Sequence, residues 1–185
     1  MLKKVLLAAL ALVCVPNLVL AANEKIDPET YLCAELVSNE TLLQGEAPLF
    51  EGLQLDGYAS AAVNMDVASP DAVHIILNEA VNWCQERPTD KVYSIWQQMR
   101  ATGPVPEGDW NAKTSTCADF ALNQDDASGF IIWLDGYNRK ANNTTKSILN
   151  SDADVRAFID ACLLSPKRTM LEVLQENAKD APAAK

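Results

Sequence analysis

Few side chains in this sequence carry the usual reactive chemistry. Five cysteines, one histidine (His74) and 25 acidic residues are present in 185 positions. A lone histidine without a second imidazole or a free thiol supplies neither a Ser–His–Asp nor a Cys–His set. No spacing among the carboxylates marks an acid/base couple. Zinc would want clustered ligands, but there is no Cys-x-x-Cys and His74 has no partner at ligand spacing. Asn123 to Gly129 is rich in oxygen ligands, yet it misses the EF-hand alternation and closing glutamate and reads as a loop leading into a helix. No glycine-rich phosphate loop occurs. The expectation is a protein that is not an enzyme and takes no cofactor and no metal.

The cysteines point to oxidation instead. Lys3 and Lys4, the apolar run Val5–Val13 and the small residues at Val19-Leu20-Ala21 form a secretory signal peptide over 1–22, cut after Ala21 or Ala22. Cys14 leaves with it. Cys33, Cys84, Cys117 and Cys162 remain, and four cysteines behind such a leader read as two disulfides with three possible pairings. The mature chain keeps 13 basic against 25 acidic residues, a formal charge of −12. That balance disfavours nucleic acid and anionic lipid as partners, and no later segment is apolar enough to span a membrane. Asn39-Glu40-Thr41 and Asn142-Asn143-Thr144 fit a glycosylation pattern, relevant only in a eukaryotic secretory pathway.

An internal repeat selects the pairing. Tyr31-Leu32-Cys33-Ala34-Glu35-Leu36 is echoed by Ser115-Thr116-Cys117-Ala118-Asp119-Phe120. Leu55-Asp56-Gly57-Tyr58 recurs unchanged as Leu134-Asp135-Gly136-Tyr137. Cys84 and Cys162 are each followed four residues later by proline, Pro88 and Pro166. The repeat predicts Cys33–Cys84 and Cys117–Cys162.

The elements that position these residues follow from pattern. Asp27-Pro28 predicts a short helix running through Cys33. Phe50, Leu53, Gly57, Tyr58, Ala61 and Ala62 share one helical stripe. After Ser69-Pro70, the residues Val73, Ile76, Leu77, Ala80, Val81 and Cys84 repeat at helical spacing. Val92, Ile95, Trp96 and Met99 predict a fourth helix. In the second half the corresponding faces are Phe130, Trp133, Leu134 and Tyr137; Val155, Phe158, Ile159 and Cys162 after Ser151; and Met170, Leu171 and Leu174. The expected fold is all-α: two tandem small four-helix modules, each pinned by one disulfide. Module 1 covers 23–100, a Gly/Pro-rich linker 101–114, module 2 covers 115–176, and 177–185 is a flexible tail. A glycine inside a helix costs about 1 kcal/mol relative to alanine, so Gly57 and Gly136 predict close helix–helix approach. The tryptophans Trp83, Trp96, Trp110 and Trp133 read as core.

The Cys-x-x-Phe/Leu openings, the Trp133-Leu134-Asp135-Gly136-Tyr137 stretch and the Cys-x-x-x-Pro closings resemble the HdeA/HdeB family of periplasmic acid-stress chaperones. The second module is the closer match, because Gln54 stands where Trp133 aligns. The resemblance implies a periplasmic, ATP-independent holdase. It would be folded near neutrality and loosened in acid, where exposed apolar surface binds unfolded periplasmic proteins. Two modules in one chain imply an intramolecular pseudo-dimer, with Phe50, Leu53, Tyr58, Phe130, Trp133 and Tyr137 as the candidate client or inter-module surface. The acid load is uneven: residues 23–100 carry a formal −9 and residues 101–185 a formal −3. The alternative is an exported interaction protein of the Rap1a/Tai immunity type, which would hold one specific partner at neutral pH.

Overall fold

The structure is a computed structural model that describes residues 25–104 and 107–180. The expected signal peptide and its cleavage point lie outside the described residues, as do Pro106 of the linker and residues 181–185 of the tail. Among the described residues the fold is all-α, with nine helices and one two-residue strand pair. The first half holds α1 (Cys33–Val37), α2 (Glu40–Leu43), α3 (Leu49–Ala62), α4 (Pro70–Glu86) and α5 (Val92–Thr102). The second holds α6 (Cys117–Leu122), α7 (Gln124–Ala141), α8 (Asp152–Leu163) and α9 (Met170–Asn177). The first half thus has five helices rather than four, the addition being one turn capped by the Asn39 side chain on the amides of Thr41 and Leu42.

Both disulfides join the cysteines that the repeat pairs, Cys33 with Cys84 and Cys117 with Cys162, at Cα separations of 4.7 and 5.1 Å. The repeat extends to the backbone. Ala34 N–H donates to the Pro88 carbonyl (2.9 Å), and Ala118 N–H to that of Pro166 (3.0 Å). Cys33 N–H reaches Asp90 and Cys117 N–H reaches Arg168; Val92 N–H returns to Tyr31 and Met170 N–H to Ser115. The Cys-x-x-x-Pro spacing therefore has a physical role. The chain leaving the disulfide helix turns so that the proline carbonyl accepts from an amide in the first turn of α1 or α6, one of the donors that a helix cannot satisfy within itself.

Serine caps start the two disulfide helices: Ser69 accepts from Ala72 N–H and Ser151 from Asp154 N–H. Thr116 with Asp119 and Thr169 with Glu172 form reciprocal capping boxes on α6 and α9. The buried faces of α4 and α5 include Val73, Ile76, Leu77, Ala80 and Cys84, and Val92, Ile95 and Trp96. Two apolar cores result, one around Cys33–Cys84 and one around Cys117–Cys162, and Leu53 packs against both.

Helices α3 and α7, which carry the repeated tetrapeptides, lie against each other between the two cores. A methyl on Gly57 would overlap the carbonyl of Trp133, and one on Gly136 would overlap the carbonyl of Gln54. Gln54 and Trp133 occupy equivalent positions of the repeat, so the contact is reciprocal, as across a twofold interface.

Several sequence expectations need correction. Asp27-Pro28 opens a turn and not a helix: the Asp27 carbonyl accepts from the amides of Thr30 and Tyr31, and α1 begins only at Cys33. The stretch 123–129 is no loop, because α7 starts at Gln124, directly after Asn123. The linker is structured at both ends. Ala101 and Thr102 continue α5, while Trp110–Asn111 (β2) pairs antiparallel with Val67–Ala68 (β1). The tail is anchored through Lys179, whose backbone exchanges hydrogen bonds with Ser147 and whose ammonium pairs with Asp154. Ala178 is buried in the second core.

Candidate functional site

The seam between α3 and α7 brings together the polar chemistry that the sequence disperses. At its centre Asp56 is fully buried. It accepts from Trp96 Nε1 (2.8 Å), Arg100 Nε (2.6 Å) and Arg100 Nη2 (2.5 Å), all on α5. Its fourth donor is Trp133 Nε1 of α7, at 2.8 Å. One carboxylate thus neutralises a buried arginine, orients two buried tryptophans and crosses the seam. A buried carboxylate needs such an array, because desolvation without partners is costly.

The equivalent Asp135 is satisfied differently. Ser147 Oγ (2.9 Å) and the Ile148 N–H (2.9 Å) donate to it, and no cation among the described residues contacts it directly. Aligning the repeats puts Ala178 of the second half where Arg100 stands in the first. Burial pushes the Asp135 carboxyl above the ordinary range, against the Ile148 amide, the Ser147 hydroxyl and the charges of Arg139 and Lys25.

The two tetrapeptide tyrosines each close on a carboxylate shared with a lysine. Tyr58 Oη donates to Glu29 (2.8 Å), which also accepts from Lys140 Nζ of α7 at 3.2 Å. That ammonium lies over the Tyr58 and Tyr93 rings, 5.0 and 5.2 Å from their centroids. Tyr137 Oη donates to Asp66 (2.6 Å), which also pairs with Lys113 at 2.8 Å. The Tyr58 hydroxyl first, then Lys140, hold Glu29 below the usual carboxylate range, outweighing a smaller effect of burial. Partial burial pushes Asp66 up, but the hydrogen bonds from Lys113 and Tyr137, with the Lys113 charge, together bring it below its ordinary value. The segment before α1 joins the seam as well: Arg139 donates to the Ile26 carbonyl (2.8 Å) and lies 3.7 Å from Asp27.

The six candidate surface residues are not one exposed face. Phe130, Trp133 and Tyr137 are buried in the second core, where Trp110, Phe130, Trp133 and Tyr137 stack in series. Leu53 lies between the cores, Tyr58 packs edge-on to Tyr93, and Phe50 is half-buried. Trp133 and Tyr137 bond to Asp56 and Asp66 of the first half, so the seam gathers part of the set. His74 is exposed, as is Trp83, which stacks under Arg87. Nothing in the sequence singles out Arg100, Glu29, Lys140 or Asp66, and Asp56 and Asp135 stand out there only as members of the repeated tetrapeptide. One signal was present: an aspartate repeated inside an apolar helical stripe needs a buried partner.

Among the described residues no group of three or more His, Cys, Asp or Glu side chains is placed to hold a metal ion. No described helix is long and apolar enough to cross a membrane. Two formed disulfides suit an oxidising compartment. No protein-family model, curated protein or solved structure matches the chain.

Proposed function

We propose that this chain is an exported, ATP-independent acid-stress chaperone of the periplasm, a holdase related to the HdeA/HdeB family. Its two halves act as an intramolecular pseudo-dimer. The observation that carries the reading is the seam itself: apolar surface on α3 and α7 is closed off by contacts made to carboxylates. Asp56 to Trp133, Glu29 to Lys140, Asp66 to Tyr137 and Asp27 to Arg139 all cross between elements of the two halves or the strap before α1.

Acid acts on these ties in one direction. A carboxylate whose folded pKa is depressed contributes stability that is present above its unfolded value, near 4, and lost as pH falls through the folded value. Glu29 and Asp66 are of this kind. Separation of α3 from α7 would then uncover Leu53, Trp133 and the aromatic series behind it as client surface. The disulfides hold each half together in acid, so reclosure on neutralisation needs no new pairing.

The test is light scattering of an aggregating periplasmic extract at pH 2–3 and at pH 7, with the oxidised mature protein added at near-equimolar amounts. Suppression in acid alone supports the reading; no suppression in acid removes it.

A further inference from the structure

The two halves differ at one end, and the difference builds a groove. Aligned on Cys84 and Cys162, α4 begins a full turn earlier than α8, with 17 residues against 12. Aligned on Val92 and Met170, α5 also runs on further than α9, with 11 residues against 8. Between these extra turns lies a cavity of about 530 Å³, within the range of about 300–1,000 Å³ typical of ligand sites. Its walls include Ala72, Ile75 and Ile76 of α4 and Met99 of α5. Ile75 is 66 % exposed, an unusual placement for a β-branched apolar side chain beside other apolar groups. The methionine wall can adapt to an incoming shape.

The second half shows what covers the same region when the fold covers it. There the chain continues past α9, Ala178 enters the core, and the Lys179 ammonium pairs with Asp154 of α8. An apolar residue followed by a cation closes that end. In the first half the position of Lys179 is taken by exposed Ala101. The groove rim instead carries Asp71, Glu79 and Glu107, all exposed, while Arg100 is already committed to Asp56. An apolar channel between two helices, rimmed by three carboxylates with no uncommitted lysine or arginine among its lining residues, is complementary to a helix with apolar and basic faces.

We propose that the α4–α5 groove docks a basic amphipathic helical segment of a partner protein. The association needs the folded first half and belongs to neutral pH, so it does not rest on the acid-opening reading. The probe is a fluorescein-labelled Leu/Lys amphipathic helical peptide, titrated by anisotropy at pH 7 against the oxidised mature protein, with a Leu/Glu peptide as control. Saturable one-to-one binding of the Leu/Lys peptide alone is expected. Ile75→Asp should weaken it by about tenfold or more, because an inserted side chain is lost, and Glu79→Lys should weaken it through the rim. Leu122→Asp, on the exposed end of α6, should leave it unchanged.

Ile75→Asp makes an acidic protein more acidic, so mere charge attraction would strengthen rather than weaken. Unchanged or tighter binding by Ile75→Asp, or no saturable binding by the wild-type chain, overturns the proposal. Ile75 is largely in solvent, and far-ultraviolet circular dichroism confirms that each variant is folded before its titration is read.

Discussion

At the residue scale, two aspartates from one repeated tetrapeptide have opposite electrostatic roles. Asp56 is the one acidic partner of Arg100 among the described residues, and that guanidinium is only 3 % exposed. Asp56→Asn should cost about 3–5 kcal/mol at pH 7, read from urea unfolding, since it strands a buried charge. Asp135 has no such dependence, and its raised pKa reverses the sign. It weakens the folded state near neutrality, and that penalty is relieved as pH falls through its raised value. Glu29 and Asp66 act later, losing their stabilising effect as pH drops through values below the ordinary range. The double variant Glu29→Gln/Asp66→Asn should therefore flatten the acid limb of a stability-versus-pH profile; an unchanged limb would remove both residues from the acid response. The repeated aspartate was readable in the sequence, but its partners were not. Arg100 lies 44 residues away in sequence and Trp133 lies 77 away, and no local periodicity connects residues across such distances.

At the element scale, α4 and α8 were the most legible helices, because each buries one stripe and keeps a serine cap. The α3 and α7 stripes were too narrow for the opposite reason. From Gln54 to Ser60 and from Trp133 to Arg139 every residue is buried, so the contrast that makes a helix amphipathic disappears. What survived was the tetrapeptide glycine of each, Gly57 and Gly136, and the close approach these predict is the α3–α7 crossing. Exposed helical Gly→Ala changes normally stabilise by about 1 kcal/mol. Gly57→Ala and Gly136→Ala should instead lower the melting temperature, because each methyl meets the facing backbone. A melting temperature that rises in both variants would mean that α3 and α7 do not touch there. The failures at Asp27-Pro28 and at 123–129 have a common origin: turn and cap residues also begin loops, and only the partners of their backbone groups decide which.

At the scale of the whole molecule, the halves share a plan but differ in the charged groups they carry. The first carries the larger negative charge and the Asp56–Arg100 pair, while the second carries Asp135, whose burial penalty acid removes. Hydrogen exchange followed by mass spectrometry from pH 7 to pH 2, corrected for intrinsic rates, should show α3–α5 losing protection before α7–α9. Each disulfide closes a long loop, 51 and 45 residues apart, and is worth about 4 kcal/mol in the chain-entropy picture. Cys33→Ser/Cys84→Ser should accordingly unfold the first half at a milder pH and slow recovery on neutralisation. The central claim is that acid parts the α3–α7 seam while each half stays pinned. Small-angle scattering of the oxidised protein, stepped from pH 7 to pH 2, tests it most directly. The account predicts a radius of gyration that grows reversibly below about pH 4, where unperturbed carboxylates titrate. A compact, unchanged particle down to pH 2 would contradict it.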